Sequence, residues 1–170
     1  MLNLCDNDIG ATAAAALAPA LAAMMCLREL HLGVNPQLGA RGAKALAPAL
    51  MALGPALQVL DLSCTALGEG GVAALTPALS RMGRLGKLWL VDDDLGVEHA
   101  HALGPALASM WRLSDLDISL NRDLGVEGCR VVCEALREAR TPVDVVLRDI
   151  GLQEGEVQLQ LHGDGLRLHF

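Results

Sequence analysis

Apolar residues recur along this chain in two alternating rhythms. Short words place them at every second residue: "LNL" at 2–4, "LHL" at 30–32, "LDL" at 60–62, "LWL" at 88–90, "LDI" at 116–118 and a weaker "VVL" at 145–147. A period of two puts the flanking leucines on one face of a strand and the residue between them on the other. The intervening stretches follow a helical period. Ala14/Leu17/Leu21, Ala43/Leu46/Leu50, Val72/Leu75/Leu79, Ala100/Leu103/Leu107 and Cys129/Val132/Leu136 fall at i, i+3 and i+7, one stripe of a helix. The strand words begin at 2, 30, 60, 88, 116 and 145, which sets a unit of 28 to 30 residues. One such unit cannot bury its own apolar faces, so units must stack, and each stacked unit adds one layer of core.

Two further positions complete the unit. An apolar residue stands three places before most strand words, at Leu27, Leu57, Leu85 and Leu113. The fifth residue past the start of each strand word is Asn7, Asn35, Thr65, Asp93, Asn121 or Ile150, and Ile9-Gly10, Leu38-Gly39, Leu67-Gly68, Leu95-Gly96 and Leu124-Gly125 follow, with a weaker Leu152. The joint pattern, L-x-x-L-x-L-x-x-N-x-L-G and then a helix, resembles the leucine-rich repeats of the ribonuclease-inhibitor type. The resemblance covers nearly the whole chain. It implies an α/β solenoid, a right-handed horseshoe with a parallel sheet on the concave side and helices on the convex side. About five full repeats and a partial sixth would form a single domain over residues 1–170. It also implies that the asparagine column turns inward and bonds the backbone of adjacent loops. Asn both donates and accepts; Thr65 does so in part, an ionised Asp93 only accepts, and Ile150 does neither. The ladder is therefore expected to be weakest at the fourth and sixth units.

The helical words "ALAPAL", "ALAPAL", "ALTPAL" and "ALGPAL" carry Pro19, Pro48, Pro77 and Pro105 in mid-helix, where proline normally breaks the element. In the second copy Leu46 and Leu50 face the sheet, so Pro48 is expected on the outer wall, where water satisfies the carbonyl of Lys44. The chain begins almost directly on a strand word with no polar capping unit, which reads as a fragment of a longer array or as an edge covered by a partner. At the other end "EVQLQLHGDGLRLHF" alternates strictly around Gly-Asp-Gly. That predicts a β-hairpin over 156–170, closing the core in place of a helix.

Composition narrows the function classes. Apolar residues are 52% of the 170 but aromatics only 2%, as suits thin Ala/Leu layers. A net charge of −7 and a pI near 5.1 disfavour nucleic acid as a partner. No apolar run is long enough to span a bilayer, and no basic region precedes an N-terminal apolar run as in a secretory signal. Five cysteines match no disulfide or zinc pattern, so a reducing, cytoplasmic setting is expected.

Catalytic or metal chemistry has little support in the pattern. Asp92, Asp93 and Asp94 are consecutive, a poor arrangement for one cation, and read as loop charge near a helix start. Cys129 and Cys133 share a helix face without further zinc ligands. The five histidines are scattered. No catalytic, cofactor-binding or metal-binding residue is assigned, and no cofactor is expected. What remains is the sheet face. Its exposed columns hold Glu29, Lys87 and Asp115; then His31, Asp61, Trp89 and Asp117; then Arg148. Trp89 is the candidate anchor for a partner, and the acidic surroundings suit a basic protein surface. The expected function is a non-enzymatic scaffold for protein–protein interaction through the concave face and the strand-to-helix loops. Two alternatives are a GTPase regulator, since Ran GTPase-activating proteins resemble this repeat subclass and Arg122 lies in a loop, and a structural subunit of a larger assembly such as a cytoskeletal one.

Overall fold

The computed structural model describes residues 1–137, 142–151 and 165–170. Among them, strands and helices alternate: β1 (Leu2–Asn3), α1 (Ala11–Ala23), β2 (Glu29–His31), α2 (Gly39–Leu53), β3 (Val59–Asp61), α3 (Gly68–Leu79), β4 (Lys87–Trp89), α4 (Val97–Ser109), β5 (Asp115–Asp117), α5 (Gly125–Leu136), β6 (Val143–Val146) and β7 (Leu166–His169). The strands form one seven-stranded sheet in chain order, and every pairing is parallel. The architecture is an α/β leucine-rich-repeat solenoid. Its register is the one the repeat alignment requires: Leu2, Leu30, Leu60, Leu88, Leu116 and Val145 stand side by side. Helices pack roughly twice as far apart as strands, so a stack of such units curves with its sheet inside.

The core is a single leucine layer between sheet and helices. Leu30, Leu60, Leu88 and Leu116 are fully buried and meet the helix stripe of Leu46, Leu50, Leu75 and Leu107, each at most 3% exposed. The four mid-helix prolines all lie on the exposed side of their helices. Each removes one backbone hydrogen bond where water replaces it, so the repeated word marks the outer wall.

The loops that leave the strands share one backbone device. The residue four places past the start of each strand word is left-handed in all six units: Asp6, Val34, Cys64, Asp92, Leu120 and Asp149, with φ between 52° and 62°. That turn swings the next residue, the asparagine column, under the loop. Val34 and Leu120 adopt this conformation despite their side chains, and a branched residue is strained there. Two units differ in length. Asn35 and Asn121 are separated from Leu38 and Leu124 by two residues, where the other units have one.

The asparagine column forms the expected bonds in two units. The Asn35 amide nitrogen donates to the carbonyls of Leu4, Leu32 and Gly33, while its oxygen accepts from the backbone N–H of Asn7 and Ile9. Asn121 repeats this on the fourth unit, donating to Leu90, Ile118 and Ser119 and accepting from Asp93 and Leu95. Each asparagine thus ties its own loop to the unit before it. Asp93 keeps only the accepting half. Its Oδ1 accepts the Thr65 N–H at 2.8 Å, and its buried Oδ2 has no partner. Burial is the main reason its carboxyl is pushed up to about 7. Ile150 joins the apolar core instead.

Of the hairpin expected over 156–170, only residues 165–170 lie among those described. Residues 166–169 are a strand, but it pairs in parallel with β6, Val143 facing Leu166 and Val146 facing His169. The first arm of the expected hairpin, 156–164, lies outside the described residues.

Candidate functional site

The sheet face displays one or two side chains per strand, and β2 to β5 bring five of the sequence candidates into one patch. Alternation decides which residues these are: Leu30, Leu60, Leu88 and Leu116 point into the core, so their flanking neighbours point out. On β4, Trp89 is half-buried. The His31 ring reaches from β2 to within 5.9 Å of its centroid, tilted by 42°. The Lys87 ammonium lies 5.8 Å from the indole ring centroid. The indole N–H donates to Asp115 Oδ1 at 3.2 Å, and Lys87 Nζ sits 3.6 Å from Asp115 Oδ2. His31 Nδ1 stands 3.7 Å from Asp61 Oδ2. Trp89 is therefore held in place by a carboxylate on one strand and an imidazole two strands away, while it stays partly exposed.

The remaining candidates, Asp117, Glu29 and Arg148, make no side-chain bond to Trp89, although Asp117 stands beside it in the strand register. Asp117 is committed to its own loop, its Oδ1 accepting the Ser119 N–H at 3.0 Å. Asp61 does the same for Ser63 through Oδ1, which leaves Oδ2 to face His31. Glu29 is half-buried on β2 and Arg148 exposed beyond β6. Arg148 meets the neighbouring unit through its backbone, the N–H donating to Ser119 Oγ.

Two groups escaped the sequence reading. The Cys5 thiol lies 3.8 Å from Asp61 Oδ2, and burial, followed by the Asp61 charge, pushes its pKa up. At the far end, Asp144 Oδ1 meets His169 Nε2 at 3.2 Å and Arg167 at 3.7 Å. The Cys5 column was legible in the alignment, but cysteine carried no charge signal. The Asp144 cluster depends on β7 pairing with β6, which alternation alone does not fix.

The chemistry available is recognition. The Asp92–Asp94 run diverges: Asp93 turns into the core while Asp92 and Asp94 are exposed. Those two line a shallow groove of about 500 Å³ with Leu95, Leu120, Arg122 and Asp123. Cys129 and Cys133 are buried, and burial holds their thiols up at about 12 and about 11, far from the reactive thiolate. Among the described residues no group of three or more His, Cys, Asp or Glu converges to hold a metal ion. Nor is any described helix long and apolar enough to cross a membrane.

Comparison with known proteins agrees with this geometry. A leucine-rich repeat family model matches residues 23–47, the stretch from the last residue of α1 through β2 into α2. The chain matches no curated protein.

Proposed function

We propose that this leucine-rich-repeat domain is a scaffold that binds a protein partner through its concave sheet face and adjoining loops. Leucine-rich-repeat domains generally act in protein–protein interaction. The observation that carries the reading here is the patch on β2 to β5. A half-exposed indole is fixed by Asp115 and flanked by His31 and Lys87. An aromatic side chain immobilised before contact loses little entropy on binding, and such residues dominate interface energetics. Glu29, Asp61, Asp115, Asp117 and Asp144 outnumber Lys87, Arg148 and Arg167 on this face, which favours a partner with a basic surface.

The subclass we assign is the ribonuclease-inhibitor-like one. Support comes from the helix of 12 to 15 residues in each of the five full units. The free cysteines, two of them buried, favour a reducing cytoplasmic setting. The net charge of −7 argues against nucleic acid as the partner.

The test compares wild type with Trp89→Ala and Asp115→Lys. A protein captured by the wild-type domain should bind each variant about tenfold or more weakly, a loss of about 1.4 kcal/mol. Melting temperatures measured alongside should stay close to wild type. A partner bound equally by all three forms would remove this face from the interface.

A further inference from the structure

We propose that the β4–β5 corner of the sheet face is an arginine-recognition site, where one arginine side chain of a partner protein displaces Lys87 from Trp89 and Asp115. This rests on the reading of the sheet face as a protein-binding surface, and it names the group that the face takes. The strand register sets the frame. Lys87 stands beside Asp115, and Trp89 beside Asp117. Residues two apart on a strand share a face, so an ammonium, an indole and two carboxylates meet across two adjacent strands.

The chain itself places a cation in this corner, and holds it loosely. Lys87 Nζ lies 5.8 Å from the Trp89 ring centroid and 3.6 Å from Asp115 Oδ2. The first distance is near the outer limit of about 6 Å for attraction between a cation and a ring. The second exceeds the span of about 2.7–2.9 Å for a direct charge-assisted hydrogen bond. With the Lys87 side chain 49% exposed, little is lost when it swings into water.

The two carboxylates are fixed and half-used. Asp115 Oδ1 accepts the Trp89 indole N–H at 3.2 Å, and Asp117 Oδ1 accepts the Ser119 N–H at 3.0 Å. One oxygen of each is left over. Among the described residues, Asp115 Oδ2 has Lys87 as its ion-pair partner and Asp117 Oδ2 has no hydrogen-bond donor. Asp61, on the other flank of Trp89, is already committed: its Oδ1 accepts from Ser63, and its Oδ2 faces His31 and Cys5. Arginine fits the remaining pair for a geometric reason. Its planar guanidinium stacks on an indole and carries five N–H donors in a fork, enough to serve both free oxygens at once. An ammonium is a compact, strongly hydrated point charge. A partner lysine would therefore exchange like for like with Lys87, whereas arginine adds stacking and a second carboxylate. An acidic or apolar side chain would leave both carboxylates uncompensated.

The experiment titrates the whole chain with N-acetylarginine amide, N-acetyllysine amide and N-acetylcitrulline amide, the last a neutral planar analogue of arginine. The Trp89 indole N–H signal in NMR, identified by its loss in Trp89→Phe, reports binding. Arginine amide should shift that signal saturably and bind about threefold or more tightly than either of the others. Lys87→Met keeps an unbranched stem and removes the competing charge, so it should tighten arginine amide by about threefold. Asp117→Asn keeps the acceptor for Ser119 and should weaken arginine amide by a similar factor, with the melting temperature close to wild type. No saturable shift with arginine amide, arginine and lysine amides that bind alike, or a Lys87→Met chain that binds arginine amide no better than wild type would each overturn the proposal. These results are separable from the test of the whole face. A captured protein that needs Trp89 but binds Lys87→Met more weakly than wild type would keep the face as an interface and still overturn the arginine site.

Discussion

Two buried choices at single positions carry measurable consequences. Asp93 stands where a ladder asparagine belongs, and its carboxyl is raised from 3.8 to about 7. Because the folded value lies above the unfolded one, this group contributes its full stability below about pH 3.8 and loses it as pH rises through about 7. At neutral pH the native state either holds a proton or buries a carboxylate whose Oδ2 has no hydrogen-bond partner. Asp93→Asn restores the donor that Asn35 and Asn121 possess. It should stabilise the domain above pH 7 by a few kcal/mol and flatten the loss between pH 4 and 7, as urea unfolding across that range would show. Val34 is the second case. It holds φ of 57° with its side chain 49% exposed, so its strain is offset by little packing. Val34→Asn should raise stability by about 1 kcal/mol in thermal unfolding.

At the scale of the element, the helices tolerate proline because only one side of each is structural. Pro48 in α2 is exposed, and its missing bond would have gone to Lys44 on the same outer wall. Replacing it with alanine restores that bond and costs no core contact. Pro48→Ala should therefore raise the melting temperature, whereas Leu46→Ala, on the opposite side, should cost about 2–5 kcal/mol. A melting temperature lowered by Pro48→Ala would show instead that the bend itself is needed for stacking. The contrast between the two faces was readable from the sequence, because leucines at i and i+4 fix the inward stripe and leave proline outside it. Helix length was not: α2 runs 15 residues and α3 only 12 around the same word.

For the whole molecule, the parallel stack turns a repeated column into a surface. Glu29, Asp61, Asp115, Asp117 and Asp144 come from four strands and reach one side only through that stacking. If the partner surface is basic, its affinity should fall as salt rises, since exposed charges more than about 10 Å apart are screened near 0.1 M. Binding measured across a salt series would register this, and a flat response would point to apolar contacts around Trp89 alone. The ion pairs of Arg130 with Glu127 and Glu134 on α5 are exposed and contribute little to either stability or that response.

The sequence by itself determined the period, the strand register, the inward leucines, the outward prolines and the set of residues on the sheet face. These follow from side-chain periodicity, which is local. Only the tertiary structure decided which face residues meet. The His31 ring spans two strands to Trp89, Asp115 is bound to the indole, and Asp117 and half of Asp61 are given over to their own loops. The structure also decided that β7 joins β6 in parallel, since strict alternation identifies a strand but not its neighbour. The left-handed column before the ladder was equally hidden, because Val34, Cys64 and Leu120 carry none of the usual signals for that conformation. It is imposed by the need to bring each ladder residue beneath its loop.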